Sequence, residues 1–348
     1  MPAKLRIGIM GLSHDHVWPN LDALMAGDLG EPVIAADPDP ELRARMRASH
    51  GGIDLADDPS AVLDRRDVDV VWTYSDNRSS AAYAAQALGM GRPTVIEKPM
   101  AADLAGAEAA LAASKATGTP LMVNWPTAWR AAVQHGLRLV REGAVGEPIQ
   151  FSYRGSQIGP REYGCSPQFC EWLYDEHRCG GGVLIDYGGY GAVLSYGVLG
   201  RPSSVTAVAA HLRKPDLKAE DNAIITLRYP CALSLLECSW TQIGMEPGYG
   251  FIVYGDRGTV LVHQPKAARE GAPALPGRVQ LVTLDQNTTA DPPDLPADER
   301  DGPTYFLTRV RDGRPIEGLC DPVAGVEAQR ILDAAQRSVR ESRTVHLS

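Results

Sequence analysis

The sequence predicts an α/β protein in two parts: a doubly wound parallel sheet at the N-terminal end, then an α/β domain with a large, mostly antiparallel open sheet. Three observations lead there. Up to about Asn124, short and continuously apolar strand runs alternate with helical stretches, the pattern of a parallel sheet covered by helices on both faces. Beyond Asn124 the rhythm changes to strands in succession, broken by turns such as Gly255-Asp256-Arg257-Gly258. The 348 residues also exceed one average domain. The expected division is residues 1–123 and 124–348.

The elements follow in order. Leu5 to Met10 reads as a buried strand and Val17 to Ala26 as a helix. Pro32 to Ala36 is a second apolar strand ending at Asp37. Pro40 to His50 looks helical, with Glu41 in its first turn. Val68 to Tyr74 is a third strand, Ser79 to Leu88 an alanine-rich helix and Thr94 to Ile96 a fourth strand. Asp103 to Thr117 is a helix stopped by Gly118, and Pro120 to Asn124 is the last strand of the first part. In the second part Ala131 to Glu142 is helical, as is Gly182 to Leu199. Strands are expected at Ile149–Ser156, Ser204–Arg213, Ala223–Tyr229, Ala232–Thr241, Gly250–Tyr254 and Thr259–His263. Gln264 to Pro303, rich in Pro, Ala and Asp, reads as a long loop holding one strand, Val279 to Leu284. Asp321 to Glu341 is a closing helix.

Composition narrows the class of function. Hydrophobic content of 44% with 22% charged residues suits an ordinary globular core. The formal net charge of −9 comes without any Lys/Arg block, which argues against nucleic acid or an anionic membrane as partner. No apolar run nears the roughly 20 residues that span a bilayer, and the N-terminal residues lack a signal-peptide core. Six cysteines form neither a disulfide framework nor a Cys-x-x-Cys pattern. The expectation is a soluble, reduced, cytoplasmic protein.

The first strand-to-helix turn reads Gly8-Ile9-Met10-Gly11-Leu12-Ser13-His14-Asp15-His16. A dinucleotide turn of a Rossmann sheet wants G-x-G-x-x-G/A here, for a tight turn, close approach to pyrophosphate and close helix packing. Gly11 fills the first place, while Ser13 and His16 replace the second and third. Ser13 and His14 are nonetheless placed at the helix start near the phosphates, with Asp15 facing away or capping the helix. Asp37 ends the second strand, where a carboxylate binds the adenosine ribose and repels a 2′-phosphate, favouring NAD over NADP. Asp37 also reads as the start of the turn Asp37-Pro38-Asp39-Pro40. His14 and His16 are metal-ligand types, yet no further ligand cluster is evident, and no metal is expected.

Six of the 34 basic residues are lysine, and one of them, in Glu97-Lys98-Pro99, closes a buried-looking strand. A buried ammonium readily shifts its pKa and suits proton transfer. Together with the first-strand turn, Asp76-Asn77, the run Gly180 to Tyr190 and the tail from Pro322-Val323 to Thr344-Val345, this element makes the chain resemble the Gfo/Idh/MocA family. The resemblance implies an N-terminal Rossmann domain, an open C-terminal sheet used in homo-oligomers (dimers or tetramers), and NAD(P)-dependent oxidation or reduction of sugars, cyclitols and related polyols. It implies that Lys98 lies beside the nicotinamide and the substrate hydroxyl. Glu97 and Pro99, with Ser75 and Asn77, would shape the cofactor pocket. Asp186 takes the place of the active-site aspartate, and Tyr190 stands where most members have histidine.

Oxidising a secondary alcohol needs a hydride acceptor and a base for the hydroxyl proton. A phenol near pKa ~10 is a poor base at neutral pH, but a nearby ammonium favours its ionised form. Lys98 and Tyr190 would thus form one relay with Asp186 orienting the sugar; which of the two takes the proton stays open. Trp129, Arg130, Tyr163, His177 and Tyr187 are candidates for the sugar ring, whose CH faces stack on aromatics. Two other readings stand beside the dehydrogenase: redox-neutral elimination or epimerisation on retained cofactor, and a non-catalytic sugar- or nucleotide-binding regulator.

Overall fold

The structure, a computed structural model, describes residues 3–243, 249–263, 265 and 276–347. Its N-terminal strands are β1 (Leu5–Met10), β2 (Gly30–Ala36), β3 (Asp54–Ala56), β4 (Val70–Thr73), β5 (Thr94–Glu97) and β6 (Leu121–Asn124). They form one sheet in the order β3-β2-β1-β4-β5-β6, with every pair parallel. β4, β5 and β6 are buried at every position, which is why they read as unbroken apolar runs. β3 went unread because three residues are too few to display a period. The helices are α1 (Val17–Met25), α2 (Pro40–Ser49), α3 (Ala61–Asp64), α4 (Asn77–Gly89) and α5 (Leu104–Thr117). α2, α4 and α5 start on Asp39, Asp76 and Asp103, whose carboxylates accept the otherwise unpaired N–H groups of Glu41, Ser79 and Gly106. Strand order reverses between β1 and β4. In sheets of this kind, the crevice outside the C-terminal ends of those strands is where ligands bind.

Downstream come α6 (Ala131–Arg141), β7 (Pro148–Ser156), and the short helices α7 (Pro160–Tyr163), α8 (Pro167–Leu173) and α9 (Glu176–Cys179). The glycine-rich α10 (Val183–Leu199) follows. Then come β8 (Ser204–Ala210), β9 (Asn222–Arg228), β10 (Leu233–Ser239), β11 (Tyr249–Gly255), β12 (Gly258–His263), β13 (Arg278–Thr283) and β14 (Asn287–Ala290). α11 (Gly302–Asp312), α12 (Pro322–Glu341) and β15 (Val345–His346) close the chain. The second sheet runs β14-β13-β12-β11-β7-β10-β9-β8-β15, parallel only between β7 and β10. The strand expected to reach Arg213 stops at Ala210. There the Asp221 carboxylate accepts the N–H groups of Leu212, Arg213 and Lys214 and folds them into a turn. The loop expected over 264–303 lies partly outside the described residues. Its described part adds β14, and α11 begins at its end on an Asp301 cap.

The chain divides into two compact units. One holds Met1–Trp125 with Gly164–Gly182 and Ala297–Gln329; the other holds Pro126–Tyr163, Val183–Pro296 and Arg330–Ser348. In the second unit α10 packs on β7, β9 and β10. A Cβ at Gly191 would come within 2.8 Å of Tyr153 and 3.0 Å of Leu236. The glycines that weaken α10 as a helix are what let it lie this close to the sheet.

Candidate active site

In the first unit the candidate residues gather at the switch point. Gly11 sits at φ +88°, a conformation that favours glycine, and a Cβ there would meet the Ser75 backbone N at 2.6 Å. The turn after β1 is thereby seated on the loop after β4, which carries Ser75, Asp76 and Asn77. Asp37 is buried, and its carboxylate accepts the Leu12 N–H at 2.6 Å and the Asp39 N–H at 2.8 Å. Burial pushes its pKa up, and those two bonds pull part of the way back. Arg43 donates to the Asp37 carbonyl. Both readings of Asp37 therefore meet in one side chain, since it already locks the turn while standing where a ribose ligand is wanted. Among the described residues no carbonyl or side chain accepts from the N–H of Ser13 or Asp15. That leaves the helix-start donors a pyrophosphate requires, so the turn fits a dinucleotide despite its altered glycines.

Residues 164–182 belong to this unit and fasten the turn from outside. Asp15 points away from α1 and accepts the N–H and hydroxyl of Ser166 at 2.7 and 2.6 Å. Trp172 Nε1 donates to the Ser13 carbonyl, and Asn77 Nδ2 to the Cys179 carbonyl. His14 is 1% exposed, its ring 4.9 Å from that of Phe169, 5.4 Å from Trp172 and 4.6 Å from His16. Burial, followed by the charges of His16 and Lys98, holds His14 well below the usual histidine pKa, so it is neutral. Its Nδ1 accepts the His16 N–H, and the ring also bonds to the Lys98 backbone.

Glu97 and Lys98 end β5, buried, and Pro99 follows across a cis peptide bond. Glu97 Oε1 lies 2.8 Å from His16 Nδ1, and Oε2 accepts from Asn124 Nδ2 at 2.9 Å. Asn124 is paired with Glu97 in register at the end of β6. Buried Tyr74, its phenol pushed up first by burial and then by the Glu97 charge, completes the surroundings. His16, read as a defect in the turn, and Asn124 were both missed as site residues. The readable signal was a polar residue ending each of two adjacent apolar strands. The structure also supplies the third ligand-type group that the sequence did not reveal, since atoms of His14, His16 and Glu97 lie within 4.8 Å of one another. Two of those atoms are bonded to each other, and the Lys98 charge bears on the third residue.

In the second unit, Asp186, Tyr187 and Tyr190 stand on α10. Asp186 is 7% exposed and accepts from Trp240 Nε1 at 3.2 Å. The rings of Tyr187 and Tyr190 are 6.2 Å apart and half-buried. Buried Tyr153 lies behind them, its phenol held neutral by burial first and by Cys238, Tyr187 and Tyr190 next, with Arg130 opposing. Sequence reading missed Tyr153 and Trp240 because each sits inside an ordinary strand pattern. Trp129 and Arg130 are half-buried ahead of α6, and Tyr163 is exposed at the end of α7. His177, in the first unit, is exposed on α9.

Comparison with known proteins adds to this geometry. The profile of the oxidoreductase family with NAD-binding Rossmann fold matches residues 5–125, and that of the GFO/IDH/MocA C-terminal domain matches residues 133–261. A D-apiose dehydrogenase of Paraburkholderia graminis is 35% identical over 151 residues, 42% of this chain and 38% of that protein. A dTDP-3,4-didehydro-2,6-dideoxy-alpha-D-glucose 3-reductase of Streptomyces antibioticus is 26% identical over 318 residues, 90% of this chain and 88% of that protein. The chain thus spans little more than a third of the first relative and most of the second. Among solved structures, the aldose-aldose oxidoreductase of Caulobacter crescentus superposes with a TM-score of 0.81 at 22% identity, covering 99% of this chain and all of that one, a likeness of fold. The chain belongs to the Gfo/Idh/MocA family of oxidoreductases, and its N-terminal unit is that family's NAD-binding Rossmann fold.

Proposed function

We propose that the protein moves hydride between a nicotinamide cofactor, NAD in preference to NADP, and a ring hydroxyl or ketone of a sugar, cyclitol or related polyol. The observation that carries the reading is Lys98, 4% exposed at the C-terminal end of β5, beside a switch point built to seat a dinucleotide. NAD, when bound, supplies the hydride acceptor. Gly11, Ser13, Asp37, Ser75 and Asn77 hold it, with His14, Glu97 and Pro99 backing the nicotinamide end. Lys98 and Tyr190 are the two candidates to take the hydroxyl proton, and Asp186, fixed by Trp240, is the candidate to orient the neighbouring hydroxyls. Trp129, Arg130, Tyr163, His177 and Tyr187 form the pool from which ring contacts are drawn. Relatives named as apiose dehydrogenase and deoxysugar reductase support the substrate class.

A panel of sugars, cyclitols and their ketones, followed at the nicotinamide absorbance with NAD and with NADP, tests this. Binding of NAD without an absorbance change on any of them would remove the dehydrogenase and leave the redox-neutral and regulator readings. The fastening of the dinucleotide turn by Ser166 and Trp172 favours a second reading, in which cofactor is retained and the net reaction is redox-neutral. Nicotinamide fluorescence that survives purification would support it, and complete loss on gel filtration would remove it.

No helix among the described residues is long and apolar enough to cross a membrane. We propose a cytoplasmic location, which cell fractionation tests. Val208 (64% exposed), Ile224 (45%) and Leu233 (58%) leave apolar side chains uncovered on the second sheet. A second copy of the chain is the proposed cover. Light scattering of wild type and Ile224→Glu would distinguish dimer or tetramer from monomer.

A further inference from the structure

We infer that His16 carries the reaction's proton between buried Lys98 and solvent, with Glu97 as its positioning residue; this rests on the dehydrogenase reading above. His16 occupies the place where a dinucleotide turn wants a residue with almost no side chain. Its ring is not loose. Nδ1 is 2.8 Å from Glu97 Oε1, the Glu97 side chain is 1% exposed, and Asn124 holds the other carboxylate oxygen. A carboxylate fixed on both oxygens keeps the proton on Nδ1 and leaves Nε2 with a lone pair that can take up a proton. The His16 side chain is 33% exposed, whereas Lys98 and His14 are 4% and 1%. Of the three groups His16 is the one in touch with water. His14, neutral and 4.6 Å from the His16 ring, feels the charges of both His16 and Lys98 and bonds to the Lys98 backbone. The other groups facing it are Glu97 and the phenol of Tyr74, while Asp15 is turned to Ser166.

The step balances. Oxidation of R2CHOH breaks the C–H bond, its electron pair leaving with hydrogen to the nicotinamide, and breaks the O–H bond, its proton forming an N–H bond on the uncharged amine of Lys98, which regains that form when the proton moves on. That proton then forms the Nε2–H bond of His16 and is released to water, restoring the neutral ring. The same three residues offer metal-ligand atoms, but His16 Nδ1 and Glu97 Oε1 are already paired with each other.

His16→Asn tests the assignment, because its amide can donate to Glu97 as Nδ1–H does. Expected are a fall in kcat of about 100-fold at pH 7, shrinking as pH rises, partial rescue by added imidazole, and NAD affinity near wild type. An unchanged kcat and pH profile would overturn it, as would a loss confined to the KM for NAD. Nitrogen-15 imidazole spectra of the NAD complex read the same claim without turnover. Nδ1–H on His16, scrambled between tautomers by Glu97→Gln, supports it, and Nε2–H overturns it. If no polyol is turned over while Nδ1–H is found, the dehydrogenase reading fails rather than the geometry of the pair. Tight Zn²⁺ binding abolished by Glu97→Gln would overturn the relay in favour of a metal centre.

Discussion

The two sheets present their chemistry in opposite ways. In the parallel sheet the candidate side chains sit on strand ends and the turns after them, and they are held by hydrogen bonds: Asp37 to the turn, Glu97 to His16 and Asn124, Asp15 to Ser166. In the second unit Asp186, Tyr187 and Tyr190 stand on one helix that, beside the Trp240 bond to Asp186, is held by close packing, α10 pressed through Gly191 onto Tyr153 and Leu236. Polar support fixes orientation and charge, so its loss shows in binding, rate and pH dependence. Packing support fixes position, so its loss shows first in stability.

Substitutions in the two regions should separate along that line. Lys98→Met, which keeps the stem and removes the ammonium, is expected to lower kcat by 1,000-fold or so (~10³) while thermal stability and NAD titration stay close to wild type. Wild-type turnover would sink the role of Lys98. In the helix region, Gly191→Ala puts a methyl 2.8 Å from the Tyr153 ring and 3.0 Å from Leu236. Overpacking of this kind costs about 1–3 kcal/mol, read as a drop of several degrees in Tm, with NAD affinity untouched. An unchanged Tm would mean that α10 has room to move, and that packing does not position Asp186 and Tyr190.

What could be read from the sequence follows the same division. The parallel strands were legible because both faces are buried and the run is unbroken, and α5 because Asp103 and Gly118 punctuate it at both ends. Lys98 stood out because lysine is scarce in this chain. His16, by contrast, was misread. A motif judged residue by residue scores it as damage, and only the fold brings Glu97, 81 positions away, against its ring. The grouping of 164–182 with the first unit was equally invisible, since its short helices carry no period and their anchors, Asp15 and Ser13, are more than 150 positions distant.

Asp37 sharpens the comparison from inside the polar region, because it locks the turn and is also the proposed ribose ligand. Asp37→Ala leaves the N–H groups of Leu12 and Asp39 without their acceptor, at a cost of about 1–3 kcal/mol for a buried group. NAD affinity should fall about tenfold, ~1.4 kcal/mol, with NADP weakened much less because the repulsion of its 2′-phosphate is relieved. Equal weakening of both cofactors, measured by calorimetric titration, would reduce Asp37 to a turn residue.

The smallest effect expected is a pH dependence carried by one group of the polar region. His14 is neutral in the folded protein, its pKa lowered chiefly by burial, and takes the ordinary value near 6.5 when unfolded. Above about pH 6.5 neither state is protonated there, and His14 contributes no slope. As pH falls below that value, the unfolded chain binds a proton the folded one refuses, so stability declines by about 1.4 kcal/mol per pH unit until the folded pKa is reached. His14→Asn, whose Oδ1 can still accept the His16 N–H, removes the titration and should flatten this part of the Tm profile between pH 7.5 and 5.5. Equal slopes in both proteins would mean that His14 opens to solvent on acidification. The polar region would then be softer than its hydrogen bonds suggest.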